Sequence, residues 1–292
     1  MTPPSLSPAG VPSIRAYAKI NLGLLVLEKR PDGYHNIETV FHRVNLYDEI
    51  TLKPSPELVV ESSSKEAPSD ERNICFKAAK LVQEHLGIKE GVRISIQKTI
   101  PVGAGLGGGS SDAAIVLLHL PLYWGKTVSE ETLMTMAMQL GSDVPFFLKK
   151  GSAFAKGRGE MLDYFHLDVP YSILLCHPGL RVSTAWAYQH VKPKHRSVDL
   201  RTLVECGMKD SQQLFRLTND FETAVFKSHP VVGRIKEVML ESGAAFSSMS
   251  GSGSTVYGLF TEWETARKAS SHLSEMGFGT SLTPSHFKPA EM

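Results

Sequence analysis

The 292-residue chain has only three cysteines, Cys75, Cys176 and Cys206, far apart and in no C-x-x-C pair. This odd, scattered set excludes a disulfide framework and offers no zinc-ligand spacing, so the thiols read as buried, free groups in a reducing cytoplasm. Neither sign of charge is in excess, with 31 Lys and Arg against 30 Asp and Glu, net +1. That balance argues against nucleic acid or an anionic membrane as the main partner. Long apolar runs are also missing. The strongest stretch, residues 113–122, is interrupted by His119 and Pro121 and falls short of the roughly 18 residues a bilayer span needs. Residues 1–13 hold four prolines and no charged side chain. They lack the basic and apolar regions of a signal peptide and are expected to form a disordered tail. With 42% apolar residues, the remainder can bury a large core and divide into two domains.

Glycine, by contrast, is concentrated. The stretch Pro101-Val-Gly-Ala-Gly-Leu-Gly-Gly-Gly-Ser-Ser-Asp-Ala-Ala114 puts five glycines into residues 103–109. Such a cluster marks backbone at positive φ or a group that approaches closely. Before it, Val92-Arg-Ile-Ser-Ile-Gln97 alternates with period two, as a half-buried strand does. After it, residues 113–118 are apolar, and Ser110, Ser111 and Asp112 offer capping oxygens for a first helical turn. A strand, a glycine loop and a helix start present free N–H groups and the positive end of a helix dipole, which suits a phosphate. A flexible turn before a buried helix is the alternative. The loop lacks the Gly-Lys-Ser/Thr end of a Walker A site. Gly103, Gly105 and Gly108 fit G-x-G-x-x-G, but the acidic residues further on, Glu130 and Glu131, lie in a helical pattern, which weakens a dinucleotide reading.

Residues 14–26 alternate, with Ile14, Ala16, Ala18, Ile20, Leu22, Leu24 and Val26 on one face. Arg15, Tyr17, Lys19 and Asn21 share the other, so Lys19 and Asn21 emerge as neighbours. A turn at Pro31-Asp-Gly33 leads into a returning strand as far as Thr51. Helical patterns follow at 73–86, 110–120 and 129–140, and Pro121 should end or kink the second. Glycines, charges and a proline over 157–170 mark a domain boundary. Beyond it come strands at 171–176 and 256–260, helices near 211–227, 229–241 and 263–276, and a glycine-serine cluster at 247–254. Strands and helices in irregular order suggest an α+β fold.

Several motifs converge on one family. The 101–114 stretch resembles the phosphate loop of the GHMP kinases. Ala18-Lys-Ile-Asn-Leu22, Asp32-Gly-Tyr-His35 with Thr39-Val-Phe41, and Gly141-Ser-Asp-Val-Pro-Phe-Phe147 resemble the members that act on a methylerythritol carried on cytidine diphosphate. Asn219-Asp-Phe-Glu222 and Met249-Ser-Gly-Ser-Gly-Ser254 extend the likeness almost to the end of the chain. The resemblance implies a two-domain α+β GHMP kinase fold. Residues 14–165 would be like ribosomal protein S5 domain 2, residues 166–292 would be ferredoxin-like, and the active site would lie between them. It further implies ATP with Mg²⁺ and phosphorylation of the 2-hydroxyl of CDP-methylerythritol in the non-mevalonate isoprenoid pathway. The protein would be a cytoplasmic monomer or weak dimer with no nucleic-acid or membrane partner.

The same resemblance implies roles for single residues. Pro101, Gly103, Gly105, Leu106, Gly107, Gly108, Gly109, Ser110, Ser111 and Asp112 would cradle the triphosphate, with Ser110 or Ser111 approaching the metal; capping the helix is the other role open to Asp112. Asn73 and Lys98 would line the nucleotide pocket. Asp143, by spacing an ordinary N-cap before Pro145, would take the hydroxyl proton. As a weak base toward an alcohol, it would chiefly orient the hydroxyl, with proton transfer late. Lys19, otherwise a solvated strand residue, would stand beside it and stabilise charge on the transferring phosphoryl group. Asn21 would touch the substrate, Tyr34 would stack on cytosine and His35 would hydrogen-bond its edge. Tyr188, with Trp186 as competitor, would complete the sandwich. Stacking reads any base, so selectivity would rest on His35. Two departures stand out: His119-Leu-Pro121 shortens the helix after the loop, and Lys156-Gly-Arg-Gly-Glu160 is unusually basic. Two other readings remain, a GHMP kinase for another small alcohol and a non-catalytic nucleotide- or RNA-binding protein.

Overall fold

The structure, a computed structural model, describes residues 13–193 and 198–290. Of the expected tail, residues 1–12 lie outside the described residues, and Ser13 is buried at the start of the first strand. The first half contains strands β1 (Ile14–Lys29), β2 (His35–Pro54) and β3 (Val59–Ser62), helix α1 (Ile74–Leu86) and strand β4 (Val92–Gln97). Helices α2 (Gly108–Tyr123), α3 (Glu130–Leu140) and α4 (Val144–Phe147) follow, then strands β5 (Ser152–Lys156) and β6 (Met161–Phe165). β2 is the long spine of a six-stranded sheet. It pairs with β1 along one edge and with β4 and β5 along the other, while β3 and β6 form the flanks.

The second half contains β7 (Ser172–His177), α5 (Thr184–His190), α6 (Leu200–Lys209), a 3₁₀ turn (Ser211–Arg216), α7 (Glu222–Ser228) and α8 (Pro230–Glu241). Strands β8 (Phe246–Met249) and β9 (Val256–Phe260), helix α9 (Trp263–Glu275) and strand β10 (Gly279–Thr283) complete it. Its antiparallel sheet has the order β10-β7-β9-β8. With α8 and α9 as the crossing helices, β7-α8-β8-β9-α9-β10 is a ferredoxin-like βαββαβ unit. We take the stretch between β6 and β7 as the boundary between the two units.

Burial arranges these elements in layers. Helices α1 to α4 cover one face of the first sheet through Val82, Ala113, Val116, Leu120 and Phe146. The other face packs through Ile20, Leu22 and Val40 on Leu203 and Val204 of α6 and on Tyr171, Tyr257 and Leu259. The outer face of the second sheet is closed by Ile235 and Met239 of α8 and by Ala266 and Leu273 of α9.

Four sequence expectations change. The alternation of residues 14–26 does not hold one face. The β1–β2 register shifts between Tyr17 and Lys19 and again between Asn21 and Leu24. Ala16 therefore packs under the helices, Ala18 to Leu22 pack toward the second half, and Leu24 and Val26 join the third cluster. At the first shift the two extra residues lie on β2; at the second one extra residue lies on β1 and reverses the parity of those that follow it. Second, Pro121 neither ends nor shortens α2, which continues to Tyr123 before Gly125 at φ +64°. The proline removes one N–H bond in the last turn, where the helix is already ending. Third, the helix expected at 211–227 is broken, because residues 218–220 are drawn out to bond Leu24: Leu24 N donates to Thr218 O and Asp220 N to Leu24 O. Fourth, Cys206 of α6 is exposed rather than buried; Cys75 and Cys176 are buried.

Candidate active site

A cleft of about 480 Å³ opens between the two halves. Its floor is the glycine loop. Gly103, Gly105 and Gly107 take φ values of +71°, +81° and +68°, which only glycine adopts freely. The loop is tied down on both sides: Lys19 N donates to Leu106 O, Thr255 N to Ala104 O, and Ser250 Oγ to Gly105 O. A Cβ on Gly105 would lie 2.1 Å from Ser250 O. Gly105→Ala therefore combines a forbidden φ with a backbone clash, and ATP affinity should fall at least tenfold in a nucleotide titration. Helix α2 starts at Gly108, with Gly107 as its uncapped N-terminal residue. Ser110, Ser111 and Asp112 thus lie inside the first turns and do not cap the helix, leaving its first N–H groups available to an anion. Ser110 lines the cleft, whereas Ser111 is buried and does not.

Lys19 rises from β1 into this cleft with 3% exposure. Its Nζ lies 2.8 Å from Asn21 Oδ1, 3.3 Å from Gly105 O and 3.4 Å from Asp143 Oδ2, over the ring of Phe41. Asn21 donates to Thr39 Oγ1, which donates to Gly23 O, so the amide is oriented with its oxygen toward the lysine. The neighbours expected from the strand pattern do meet, on a face covered by protein instead of water. Asp143 precedes α4 and makes no side-chain capping bond. Its carboxylate is turned to Lys19 and half-buried in the cleft.

At the far end, Tyr188 of α5 lines the cleft, and its ring stacks on His35 with centroids 5.1 Å apart at 17°. Burial, then the Asp143 charge, push the Tyr188 hydroxyl up to about 12. Burial and then Lys29 lower the His35 pKa, so the imidazole is neutral at pH 7 and offers one donor and one acceptor. Tyr34 is 55% exposed, outside the cleft lining, with the Arg158 guanidinium over its ring at 4.8 Å. Trp186 stacks on His190 and points away from the cleft lining.

Beside the loop lies a buried ionic cluster that the sequence did not reveal. Lys98 reaches both Asp48 and Asp112, the latter at 2.7 Å. Asp48 also accepts from Thr99 N at 2.6 Å and Ile100 N at 2.8 Å, setting the entry to the loop. Burial raises the Asp112 pKa, Lys98 opposes this and Asp48 adds to it, for a value of about 8. Asp48 lies on a strand 50 residues from Lys98, and no local signal marks it. Asn73 caps α1 by accepting from Cys75 N and donates to Pro68 O, with its side chain at the cleft edge. The quoted Asn219 and Glu222 motif acts indirectly. Asn219 Nδ2 donates to Met249 O and Gly251 O, and Glu222 accepts from Met249 N and Ser248 Oγ. These bonds fix the glycine-serine loop against Gly105. Arg72, unmarked in the sequence, and Arg158, from the basic stretch at 156–160, also line the cleft.

A glycine loop at a helix N-terminus facing a lysine–aspartate pair, in a cleft between an S5-like and a ferredoxin-like unit, makes this a small-molecule kinase of the GHMP class. Family models agree: GHMP kinases N terminal domain matches residues 73–151 and GHMP kinases C terminal matches 202–278. The 4-diphosphocytidyl-2-C-methyl-D-erythritol kinase of Chlorobium limicola is 46% identical over 280 residues, 94% of this chain and 97% of that one. That of Prosthecochloris aestuarii is 44% identical over 95% and 99%. A crystal structure of 4-(cytidine 5'-diphospho)-2C-methyl-D-erythritol kinase superposes with a TM-score of 0.77 at 36% identity, covering 93% of this chain and 99% of that one. Homoserine kinase from Cytophaga hutchinsonii shares the fold, with a TM-score of 0.67 at 22% identity over 94% and 95%. The chain belongs to the family of 4-diphosphocytidyl-2-C-methyl-D-erythritol kinases.

Proposed function

We propose that the chain transfers the γ-phosphoryl group of ATP to the 2-hydroxyl of 4-diphosphocytidyl-2-C-methyl-D-erythritol, in the cytoplasm, as a monomer or weak dimer. The observation that carries this reading is the Lys19–Asp143 pair, set between the glycine loop and the Tyr188–His35 stack. Phosphoryl transfer needs positioning and charge neutralisation more than covalent help. The N–H groups of the loop and the start of α2 hold the triphosphate. Asp143 accepts the hydrogen bond of the attacking hydroxyl and its proton as the new P–O bond forms and the bond to ADP breaks. Lys19, oriented by Asn21, meets the charge on the transferring group. Tyr188 supplies a stacking face and His35 reads the edge of cytosine; Tyr34 supplies the opposite face once its exposed ring turns inward.

Mg²⁺ fits this donor set. Among the described residues no group of three or more His, Cys, Asp or Glu gathers into a cage, and kinase Mg²⁺ is held mainly by phosphates and water. Asp112 Oδ1 is buried without a hydrogen-bond partner, and Ser110 lines the cleft beside it. These two would hold the ion, which neutralises phosphate charge when ATP binds.

The test is ADP release from ATP and Mg²⁺ with and without the cytidine substrate. Turnover that requires the cytidine substrate supports the reading. ATP binding without such turnover sends the assignment to another small alcohol, and no ATP binding removes the kinase. In the same assay, His35→Ala should raise KM for the cytidine substrate about 10-fold or more, with KM for ATP unchanged, since a lost buried hydrogen bond costs about 1–3 kcal/mol.

A further inference from the structure

A second cavity, of about 680 Å³, shares no lining residue with the cleft. It lies between β2, the β5–β6 edge and the C-terminal residues 286–290, and its size is that of a small-molecule site. The C-terminal segment is fastened across it: His286 N donates to Val169 O, Ala290 N to the Tyr17 hydroxyl, and Phe287 packs against the Tyr17 ring. His286 takes φ +55°, a left-handed conformation uncommon outside glycine.

Among the described residues the charge of this cavity is unbalanced. Arg43, 4% exposed, donates to the carbonyls of Gly151, Phe146 and Lys149, and two of its five N–H groups stay outside these bonds. Among the described residues it has no carboxylate partner, although buried charges are ordinarily paired. Burial lowers its pKa to about 10, so it stays charged at neutral pH. Lys150 and Lys288 line the same space and form no ion pair among the described residues. The acidic side chain of the lining, Asp168, is taken by His286 at 2.7 Å. Phe165 and Phe287 supply apolar wall. We propose that this cavity is a second ligand site for a small organic phosphate, its anionic head between Arg43, Lys150 and Lys288 and its apolar or aromatic body against Phe165 and Phe287.

The probe is phenyl phosphate, titrated by calorimetry into protein saturated with ADP and CDP. Saturation is checked first in its own titration, so a failure of the nucleotide reading is not mistaken for a failure of the second site. One-site binding is expected with the nucleotides present. Kd should weaken at least fivefold in Lys150→Ala/Lys288→Ala, whose exposed side chains leave the fold intact, and at least threefold in Phe287→Ala. Inorganic phosphate should bind at least fivefold more weakly than phenyl phosphate. No saturable heat, an unchanged Kd in the double variant, equal binding of inorganic phosphate, or heat that disappears under ADP and CDP would each overturn the proposal.

Discussion

Asp143→Asn is expected to lower kcat by about two to four orders of magnitude, the range for loss of a positioned general base. KM for ATP should stay within about threefold. Asparagine keeps the size and the position before α4, but its amide cannot accept the hydroxyl proton. The competing role, capping α4, predicts something else: asparagine caps a helix about as well as aspartate, so stability would hardly change and the enzyme would stay active. The geometry favours the first outcome, because the carboxylate makes no capping bond and faces Lys19 at 3.4 Å. Lys19→Met should also be nearly inactive. The double variant should then be little worse than either single one, since residues that act as a unit are not additive. An Asp143→Asn enzyme within about fivefold of wild type would remove the aspartate from the chemistry.

Much of this site is legible in the sequence, because its parts are local. The glycines mark a loop whose backbone must sit at positive φ, and the strand before it follows its own period. Lys19 and Asn21 can be placed side by side by parity alone, since no bulge falls between them. The rest depends on contacts between distant segments. Two register shifts redirect β1, and only the pairing with β2 shows that the face bearing Lys19 is interior. Asn219 and Glu222 fall inside a helical pattern in the sequence, yet their side chains hold the loop at 249–251. That role appears once the second sheet brings the loop beside them. Tyr188 and Trp186 are indistinguishable as aromatics two positions apart; the turn of α5 that separates their directions decides which one faces His35.

Lys98→Met should cost about 3–5 kcal/mol, because it leaves two buried carboxylates without their shared cation. Against a total of about 5–15 kcal/mol for a typical domain, that is a large part of the stability, and a lowered urea midpoint will show it. The loop should also lose its set, since Asp48 fixes Thr99 N and Ile100 N through the same carboxylate that Lys98 holds. The charge of the cluster explains a second, quieter effect. Two carboxylates and one ammonium leave one negative charge in the interior, and a proton on Asp112 removes it. In the protein free of ATP and Mg²⁺ its pKa therefore rises from 3.8 to about 8 on folding, by burial first, against Lys98 and with Asp48. The folded state holds a proton that the unfolded chain gives up, so this group's contribution is full below pH about 4 and falls as pH rises toward about 8. Asp112→Asn, a neutral isostere, should lack that slope. Measured by urea unfolding, wild type should lose stability relative to Asp112→Asn between pH 5 and pH 8. A difference that stays flat across that window would mean that both carboxylates are ionised around Lys98 and that another group carries the compensating charge.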